Sequence, residues 1–435
     1  MLNAIRLAAI IALSLVAGAA SLYFQVIPGT FLKGAFKGYD ALTVQSRQRK
    51  QAFNRTVVHY ADKNNSGITL WNKELSWNGY TVFASGYGKE IELIDMSGTP
   101  VHSWNVDYTK IWEPGGDVQE LVPERFIFIR KAQVYPDGRL LVIFSAWATT
   151  PYGYGIAMLD HESKVLWKDF RAIHHSFSTE TDGTIYALDH QVILPERLED
   201  EAYLDNGVVI YQEDGSFVKR FSLYDAFRNS NYSYVLPYMI DENKGNRLGN
   251  YMHSNDVDVL HADMAANFPF AKAGDLLVSL REIDGIAIVD PAEEKVTWFV
   301  SGYWRRHHDP DFLPNGNMLI LDNHAMRADA EGRRASRVIE FDPKTLEIVW
   351  EYPGDSSGRL FTLARGSQQR LPNGNTLITE SGNSRLVEVT ADGHIVWEYY
   401  NPARLGKDKS LTPAIFWGTR YSSAELPFLS LTPSE

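Results

Sequence analysis

Apolar and polar residues alternate along most of the chain after residue 70, which is typical of half-buried β-strands. One recurring segment is a tight turn followed by an apolar strand, at 135–144, 180–189, 272–281, 313–322 and 371–380. The other is a hairpin around a polar turn, often ending in Trp, at 91–106, 156–170, 208–223, 286–302, 337–354 and 385–402. Asn-Gly, Asp-Gly and Asp-Pro supply the backbone angles that tight turns need. The pattern indicates six copies of one β-unit.

Six such units predict an all-β fold, a six-bladed β-propeller. A single unit cannot bury both of its apolar faces, whereas a closed ring of units can. We place the propeller at 71–421 and a C-terminal tail at 422–435. The irregular stretches 145–155 and 224–252 are predicted to be insertions that cover one mouth of the central channel.

The N-terminus contains a run without charge, Leu7–Phe24, LAAIIALSLVAGAASLYF. Its length of about 18 residues is near the minimum that crosses a bilayer. A cleavable signal ending near Ala19 is the alternative, but apolar residues continue beyond that point. We therefore predict an uncleaved transmembrane helix within 1–30 and a juxtamembrane helix or linker at 31–70. The expected location is the inner membrane, single-pass, with the propeller facing the periplasm.

Charge and composition narrow the functional classes. The formal net charge is −12, which disfavours nucleic acid as a partner because nucleic acid binding rewards basic surfaces. The chain has no cysteine, so thiolate catalysis, disulfides and Cys-ligated metals are excluded. It also lacks a G-x-x-x-x-G-K-[ST] loop, so a nucleotide-phosphate cradle of that type is absent. We predict no cofactor.

Basic residues recur at one position relative to the turns. Counting back seven residues from the Asp or Asn of each turn selects Arg130, His175, His308 and, beside Gly366, Arg365. In the fourth unit, the corresponding strand at about 252–260 begins with His253. Residues before the turn should form the innermost strand, so we expect these side chains to converge on the channel. The alternative is that they are solvated loop residues that align by coincidence.

Two histidine pairs need separate treatment. Neighbours on a strand point to opposite faces, so only one member of each pair should face the channel. The register selects His175 and His308. Their neighbours, His174 and His307, are expected to pack between blades or to hydrogen-bond a turn.

Histidine and arginine together favour anion chemistry. Imidazole can act as a base, a metal ligand or a nucleophile, and guanidinium matches the oxygens of sulfate or phosphate. Arg327 follows the strand after His308 and is a further candidate for this site. A metal-dependent hydrolase remains open, with Asp256, Asp258, Asp309 or Asp311 as additional ligands; we predict no metal.

Three segments resemble the bacterial arylsulfotransferase family: HHDPDFLPNGNMLILDN, RVIEFDPKTLEIVWEYPG and RGSQQRLPNGNTLITESGNSRLVEVTADGHIVWEYYNP. The resemblance covers roughly 80–420 and is strongest in 281–402. Members are propeller proteins of the cell envelope that move a sulfuryl group between phenols without a nucleotide donor. The most specific parts are the HHDP sequence and the Asp-Asn strand that follows it.

The resemblance implies a catalytic set of His253, His308 and Arg327. The register of the turns adds His175, Arg130 and Arg365 as substrate-binding residues. It also implies a phenolic or sulfated small molecule as partner. The family's later histidine, which carries the sulfuryl group, has no counterpart at 365–370, so His308 or His175 would replace it. We expect His308 to be the nucleophile. Two rival hypotheses remain: a non-catalytic subunit of a membrane protein complex, and a metal-dependent hydrolase or lactonase.

Overall fold

The structure, a computed structural model, describes residues 58–62, 64–86, 90–118, 120–146, 152–193, 203–242, 249–323, 335–355 and 358–430. The predicted membrane anchor, the juxtamembrane segment up to residue 57 and Arg327 lie outside these ranges. Across the ranges given, the structure contains no helix with the length and apolarity needed to cross a membrane.

Strands dominate the described chain. The first half contains β1 (Val58–Tyr60), β2 (Gly67–Trp71), β3 (Tyr80–Ser85), β4 (Glu90–Ile94), β5 (Pro100–Asn105), β6 (Ile127–Val134), β7 (Leu140–Ala146), β8 (Gly153–Leu159), β9 (Val165–Asp169), β10 (Ile173–Thr179), β11 (Ile185–Ile193), β12 (Tyr203–Tyr211) and β13 (Phe217–Ser222). The second half contains β14 (Ser254–Val259), β15 (Leu276–Leu280), β16 (Gly285–Asp290), β17 (Lys295–Ser301), β18 (His308–Phe312), β19 (Met318–Asp322), β20 (Arg337–Phe341), β21 (Ile348–Tyr352), β22 (Gly354–Asp355), β23 (Gly358–Arg359), β24 (Ser367–Arg370), β25 (Thr376–Glu380), β26 (Arg385–Val389), β27 (Ile395–Tyr400), β28 (Leu411–Pro413) and β29 (Ile415–Tyr421). Three short helices are α1 (Tyr108–Ile111), α2 (Leu223–Arg228) and α3 (Val235–Glu242).

The strands form six antiparallel blades, which confirms the predicted six-bladed propeller. From the innermost strand outward, the blades are β29-β3-β4-β5, β6-β7-β8-β9, β10-β11-β12-β13, β14-β15-β16-β17, β18-β19-β20-β21 and β24-β25-β26-β27-β2. The six predicted hairpins are the third and fourth strands of the blades. The five turn-plus-strand segments supply second strands. Residues 145–146 and 153–155 belong to strands, contrary to the prediction of an irregular stretch, because β7 extends to Ala146 and Ser145 pairs with Gly153 of β8.

Burial follows position within the blade. The second and third strands β15 and β16 are buried along their whole length, whereas the outer strand β17 is mostly exposed or half-buried. The middle strands are covered on both faces by adjacent blades, so they are almost continuously apolar. For example, Leu141 and Ile156 of the second blade share one buried cluster with Phe177 and Val209 of the third.

Both ends of the described chain close the ring. The C-terminal strand β29 is the innermost strand of the first blade and pairs with β3, with Trp417 opposite Ala84. The N-terminal strand β2 adds a fifth strand to the last blade, with Trp71 opposite Trp397. These two contacts join the beginning and end of the circle.

All six innermost strands begin at the same end of the central channel, which we call the channel mouth. The connections between blades and those between second and third strands lie at this end. The turns between first and second strands lie at the opposite end. The insertion at 224–252 therefore borders the channel mouth, as predicted, and it contains α2 and α3.

Candidate functional site

The residues selected by the sequence register lie at irregular positions of the innermost strands. Strand pairing shifts at Arg130 in β6, around His175 in β10 and directly after His308 in β18. The backbone φ angle is positive at His175 (54°), His253 (50°), Asp309 (56°) and Arg365 (68°). A positive φ in a residue other than glycine costs about 1–3 kcal/mol, and such residues concentrate at functional sites. The same strained feature thus recurs at the channel mouth in several blades.

Four histidines surround the ring of Tyr152, and we call these five residues the histidine cluster. The Tyr152 ring centroid lies 4.5 Å from that of His190, 5.2 Å from His175, 5.3 Å from His174 and 5.8 Å from His253. The rings of His175 and His253 are 5.1 Å apart. Side chains from the second, third and fourth blades therefore meet at one point of the channel mouth.

The two histidine pairs behave differently. His307 packs against Trp304, with ring centroids 5.8 Å apart, and is fully buried, as predicted. His174 was expected to point away from His175, and this expectation is wrong. The pairing irregularity around His175 interrupts the strand alternation, so Nδ1 of His174 lies 2.9 Å from Nδ1 of His175.

Both ring nitrogens of His308 are engaged by protein groups. Asn323 donates from Nδ2 to the carbonyls of Thr362 (3.1 Å) and Arg365 (2.8 Å), so its Oδ1 faces His308 Nδ1 at 2.6 Å. His308 Nδ1 must therefore carry the proton. Its Nε2 accepts a hydrogen bond from the backbone N–H of Arg365 at 3.1 Å. No lone pair of His308 is left over for a substrate in this arrangement.

One ring nitrogen of His253 accepts a hydrogen bond from the protein, and the other carries a proton that can be donated to a ligand. Asn250 accepts at Oδ1 from the backbone N–H of His253 (3.1 Å) and from Asn206 Nδ2 (3.0 Å). Its Nδ2 therefore donates to Nδ1 of His253 (3.0 Å) and to the hydroxyl of Tyr152 (3.2 Å). The His253 proton then lies on Nε2, which can donate to an anion.

His175 has one ring nitrogen without a hydrogen bond to the described residues. Its Nδ1 lies 2.9 Å from Nδ1 of His174, and one of these two nitrogens donates to the other. In the tautomer in which His175 Nδ1 donates, Nε2 of His175 carries a lone pair that can act as a nucleophile.

Three arginines lie around these rings. Arg130 and Arg365 both lie against the ring of Phe416, with guanidinium carbons 5.5 and 4.6 Å from its centroid. Arg281 pairs with Glu282, whose Oε1 lies 2.5 Å from Arg281 Nη1 and 2.6 Å from Arg306 Nη1. Among described residues, the Arg130 guanidinium has no hydrogen-bond or ion-pair partner.

Burial and mutual repulsion act on the same arginines. Burial, with a smaller contribution from Arg281, lowers the pKa of Arg130 to about 10. Burial, Arg130 and Arg281 together hold the pKa of Arg365 well below its usual value. Arg130, whose guanidinium has no carboxylate partner among the described residues, thus provides a buried positive charge that can bind an anion.

The histidines at this site are neutral at physiological pH. Burial lowers the pKa of His174 to about 3. Burial holds the pKa of His175, His253 and His308 well below the usual value, and the nearby arginines act in the same direction. A neutral imidazole keeps the lone pair that nucleophilic attack requires.

A second group of charged residues lies on the same innermost strands, directly after the histidines and arginines of the channel mouth. Lys131 Nζ is 2.8 Å from Ser176 Oγ and 3.7 Å from Asp256 Oδ1. Burial and the neighbouring carboxylates raise the pKa of Asp309 to about 8 and that of Asp311 well above its usual value. Within the ranges that the structure describes, no group of three His, Asp or Glu side chains is arranged to hold a metal ion.

The structure brings together most of the predicted residues and adds others. Arg130, His175, His253, His308 and Arg365 all lie at the channel mouth, while Arg327 lies outside the described residues. Tyr152, His190, Asn250 and Arg281 were not predicted. Two of them had a signal: counting seven residues forward from the Gly of each turn selects Ser145, His190, Arg281, Asn323 and Ser381. This register marks where second strands end at the channel mouth.

Fold and site define a six-bladed β-propeller whose channel mouth is lined by neutral histidines and buried arginines. The sequence profile of the family described as Arylsulfotransferase (ASST) matches residues 131–402. That match covers more than half of the chain, which therefore belongs to the arylsulfotransferase family. A search of curated proteins finds no match.

Several solved structures are similar in fold. A protein of unknown function from Bacteroides caccae is 14% identical, with a TM-score of 0.48, covering 79% of this chain and 99% of that one. AztD from Citrobacter koseri is 9% identical, with a TM-score of 0.39, covering 79% and 98%. A streptogramin B lyase is 11% identical, with a TM-score of 0.41, covering 84% and 98%. At these values the likeness carries no argument about activity.

Proposed function

We propose that this protein transfers the sulfuryl group of an aryl sulfate to a phenolic acceptor through a channel histidine. The observation that carries the proposal is a group of three arginines beside histidines that are held neutral, with Arg130 buried and Arg281 and Arg365 partly buried. Guanidinium groups suit the tetrahedral oxygens of a sulfuryl group, and a neutral imidazole is a competent nucleophile. Membership of the arylsulfotransferase family supports the same chemistry.

In this proposal, the nucleophile is His175 rather than His308, because the lone pair of His308 Nε2 already accepts from Arg365. His175 Nε2 attacks sulfur, and the bond between sulfur and the donor's phenolic oxygen breaks. The released phenolate takes up a proton. In the second step the acceptor phenol loses its proton, its oxygen attacks sulfur, and the nitrogen–sulfur bond breaks. His174 supports His175 by accepting its Nδ1 proton in a hydrogen bond.

The surrounding residues have binding roles in this scheme. Arg130, Arg281 and Arg365 hold the sulfuryl oxygens, and His253 donates from Nε2. The hydroxyl of Tyr152 accepts from Asn250, so its own proton is free to donate to a phenolic oxygen. Arg327 stays a candidate on the family resemblance alone.

We further propose that Leu7–Phe24 anchors the protein in the inner membrane, with the propeller in the periplasm. An uncleaved anchor keeps the protein in the membrane fraction with its original N-terminal residues. N-terminal sequencing of the mature protein that starts near Ala20 or Ser21 would exclude this location.

The test of the activity uses an aryl sulfate that releases a coloured phenolate, with and without a phenol acceptor. The expected result is ping-pong kinetics and a sulfuryl adduct on His175, detected by mass spectrometry of rapidly quenched protein. His175→Ala should lose the adduct and at least about 100-fold in rate, or about 2.7 kcal/mol in barrier.

Two further variants serve as comparisons. His308→Ala should be slower yet still form the adduct, and the exposed His394→Ala should match the wild type. An adduct that persists in His175→Ala would reject His175 as the nucleophile. Folded protein that transfers nothing to several acceptors would reject the enzyme and favour a non-catalytic subunit of a membrane complex.

A further inference from the structure

Among the residues that the structure describes, most of the exposed aromatic side chains lie on the surface around the channel mouth. We call this surface the mouth face and define it by its blade-to-blade connections. Its exposed large apolar residues, with their exposed fractions, are Tyr60 (76%), Tyr234 (63%), Tyr238 (69%), Tyr303 (52%) and Leu363 (50%). Four of the five are tyrosines, the residue type that collects at the interface of a bilayer.

The chain connectivity places all five on the same side of the ring. Tyr234 and Tyr238 lie between β13 and β14, and Tyr303 lies between β17 and β18. Leu363 lies between β21 and β24. Tyr60 belongs to β1, which pairs with β28 in the connection between β27 and β29. Each of these connections ends where an innermost strand begins, at the channel mouth.

Helix α3 shows that the exposure is directional. Leu236 and Met239 are buried against the propeller, in a cluster that also contains Val257 and Leu280. Tyr238, between them in sequence, is 69% exposed. The helix therefore packs its aliphatic residues inward and presents an aromatic residue outward, the arrangement of an interfacial amphipathic helix.

The described chain also enters on this face. Its first strand, β1, starts at Val58, which pairs with Pro413 beside the channel mouth. The preceding 57 residues contain the uncharged run Leu7–Phe24. The segment proposed as the membrane anchor thus connects to the mouth face, next to the exposed tyrosines.

We propose that the mouth face lies on the surface of the lipid bilayer, so that the channel opens toward the membrane. Tyrosine rings suit this position because they combine an apolar ring with a hydroxyl that reaches water. Together with the proposed sulfuryl transfer, on which this part rests, the orientation implies substrates that dissolve in the membrane: amphiphilic phenols and their sulfates.

The opposite face provides a matched reference position. Leu75 is 53% exposed. Its backbone carbonyl accepts from the side chains of Asn373 (3.3 Å) and Asn375 (2.8 Å), which lie in the turn between β24 and β25. Leu75 therefore lies at the end of the propeller away from the channel mouth.

The experiment uses the full chain, whose lack of cysteine allows single labelling sites. Tyr238→Cys, Tyr303→Cys and Leu75→Cys are each labelled with an environment-sensitive fluorophore and reconstituted into vesicles containing nitroxide-labelled lipid. Labels at 238 and 303 should be quenched at least about threefold more strongly than the label at 75. Equal quenching at all three sites, or stronger quenching at 75, would overturn the orientation.

Other occupants of the face give distinct results. A blue shift at 238 without quenching by lipid indicates a protein partner or a second copy and overturns the proposal. Full-length protein that fails to associate with vesicles removes the anchor and the orientation together, while leaving soluble transfer activity measurable. If the labels report the predicted orientation but no sulfuryl transfer occurs, the orientation stands and the proposed activity fails.

The substrate class has its own readout. Tyr238→Ser should lower transfer to a long-chain phenol in vesicles by about threefold or more, and leave transfer to a water-soluble phenol unchanged. The ratio of the two rates is the decisive quantity. An unchanged ratio would overturn the membrane-dissolved substrate class.

Discussion

Arg281 is the residue whose electrostatic role at the channel mouth is best isolated. Among the described residues, its ion-pair partner is Glu282, which also binds Arg306. Removing the charge of Arg281 would therefore not leave Glu282 unpaired. Burial lowers the pKa of Arg281, and Arg306 adds to the effect while Glu282 opposes it. Replacing Arg281 thus changes the charge available to a ligand with little effect on the surrounding structure.

We expect Arg281→Gln to reduce kcat/KM for the aryl sulfate about 10- to 100-fold, because a hydrogen bond to a charged group is worth about 1.5–3 kcal/mol. Sulfate should also raise the melting temperature of the wild type more than that of the variant, since a ligand stabilises the state that binds it. Steady-state kinetics and thermal melts with and without sulfate provide the test.

Arg305→Gln is the matched control, because Arg305 is nearby but its side chain is 58% exposed and pairs with Asp284. It should behave like the wild type in both measurements. Equal losses in the two variants would mean that general surface charge, and not the channel site, attracts the anion.

At the scale of the strand, the inner strands β14 and β18 place four carboxyl groups together. They are Asp256, Asp258, Asp309 and Asp311, with Lys131 of β6 as the adjacent cation. Burial, opposed by several hydrogen bonds and by Lys131, raises the pKa of Asp258 to about 6. Folded protein therefore holds protons on this group at pH values where unfolded Asp, with a pKa near 3.9, is ionised.

The sign of the pH dependence follows from proton binding. Between about pH 4 and pH 8 the folded state binds more protons at these carboxyls than the unfolded state, so they make stability fall as pH rises. Asp309→Asn removes one ionisable group, and the amide oxygen can still accept from the backbone N–H of Gln368. We expect the variant to be about 1–3 kcal/mol more stable than wild type at pH 8, with no gain at pH 4.

Denaturant unfolding at the two pH values measures this difference, and the buried histidines, present in both proteins, cancel from it. Asp182→Asn is the control, because hydrogen bonds from Thr184 lower rather than raise the pKa of that exposed carboxyl. Asp182→Asn should show no gain at pH 8. A pH-independent difference for Asp309→Asn would show that Asp309 does not retain a proton.

At the scale of the whole molecule, ring closure depends on contacts between distant parts of the chain. Arg420 of the closing strand β29 pairs with Glu388 of the last blade, and both side chains are fully buried. Arg420 also donates to the carbonyl of Trp77 (3.1 Å) and to Thr81 Oγ1 (3.0 Å). One side chain therefore links the first blade, the last blade and the N-terminal strand region.

We expect Arg420→Met to lower the free energy of unfolding by about 3–5 kcal/mol, because it leaves the buried Glu388 carboxylate without its partner. The double variant Arg420→Met/Glu388→Gln should recover part of that loss. Arg139→Met, which breaks a partly exposed pair with Glu213, should cost at most about 1 kcal/mol. Urea unfolding compares them, and similar losses for Arg420→Met and Arg139→Met would contradict a closing role.

The sequence alone determined the repeated elements of the fold. Turn residues and two-residue alternation act locally, so the six hairpins and five second strands could be predicted from them. The same local spacing selected Arg130, His175 and His308. The number of residues between the channel-facing position and the following turn is the same in each of these blades. In the fourth blade the seven-residue count back from the turn could not be applied, because an insertion intervenes. His253 was still predicted, as the first residue of the corresponding strand.

Only the tertiary structure decided which residues meet and in what state. β29 completes the first blade from the other end of the chain, and no local pattern specifies a partner more than 300 positions away. Tyr152, His190 and Arg281 reach the channel mouth from three different blades. The roles of the histidines depended on distant partners as well: Asn323 and Arg365 occupy both nitrogens of His308, whereas the hydrogen bond of His175 to His174 uses only its Nδ1. Residue type and spacing determine which chemistry each side chain is capable of. The closed arrangement of the six blades determines which side chains become its neighbours.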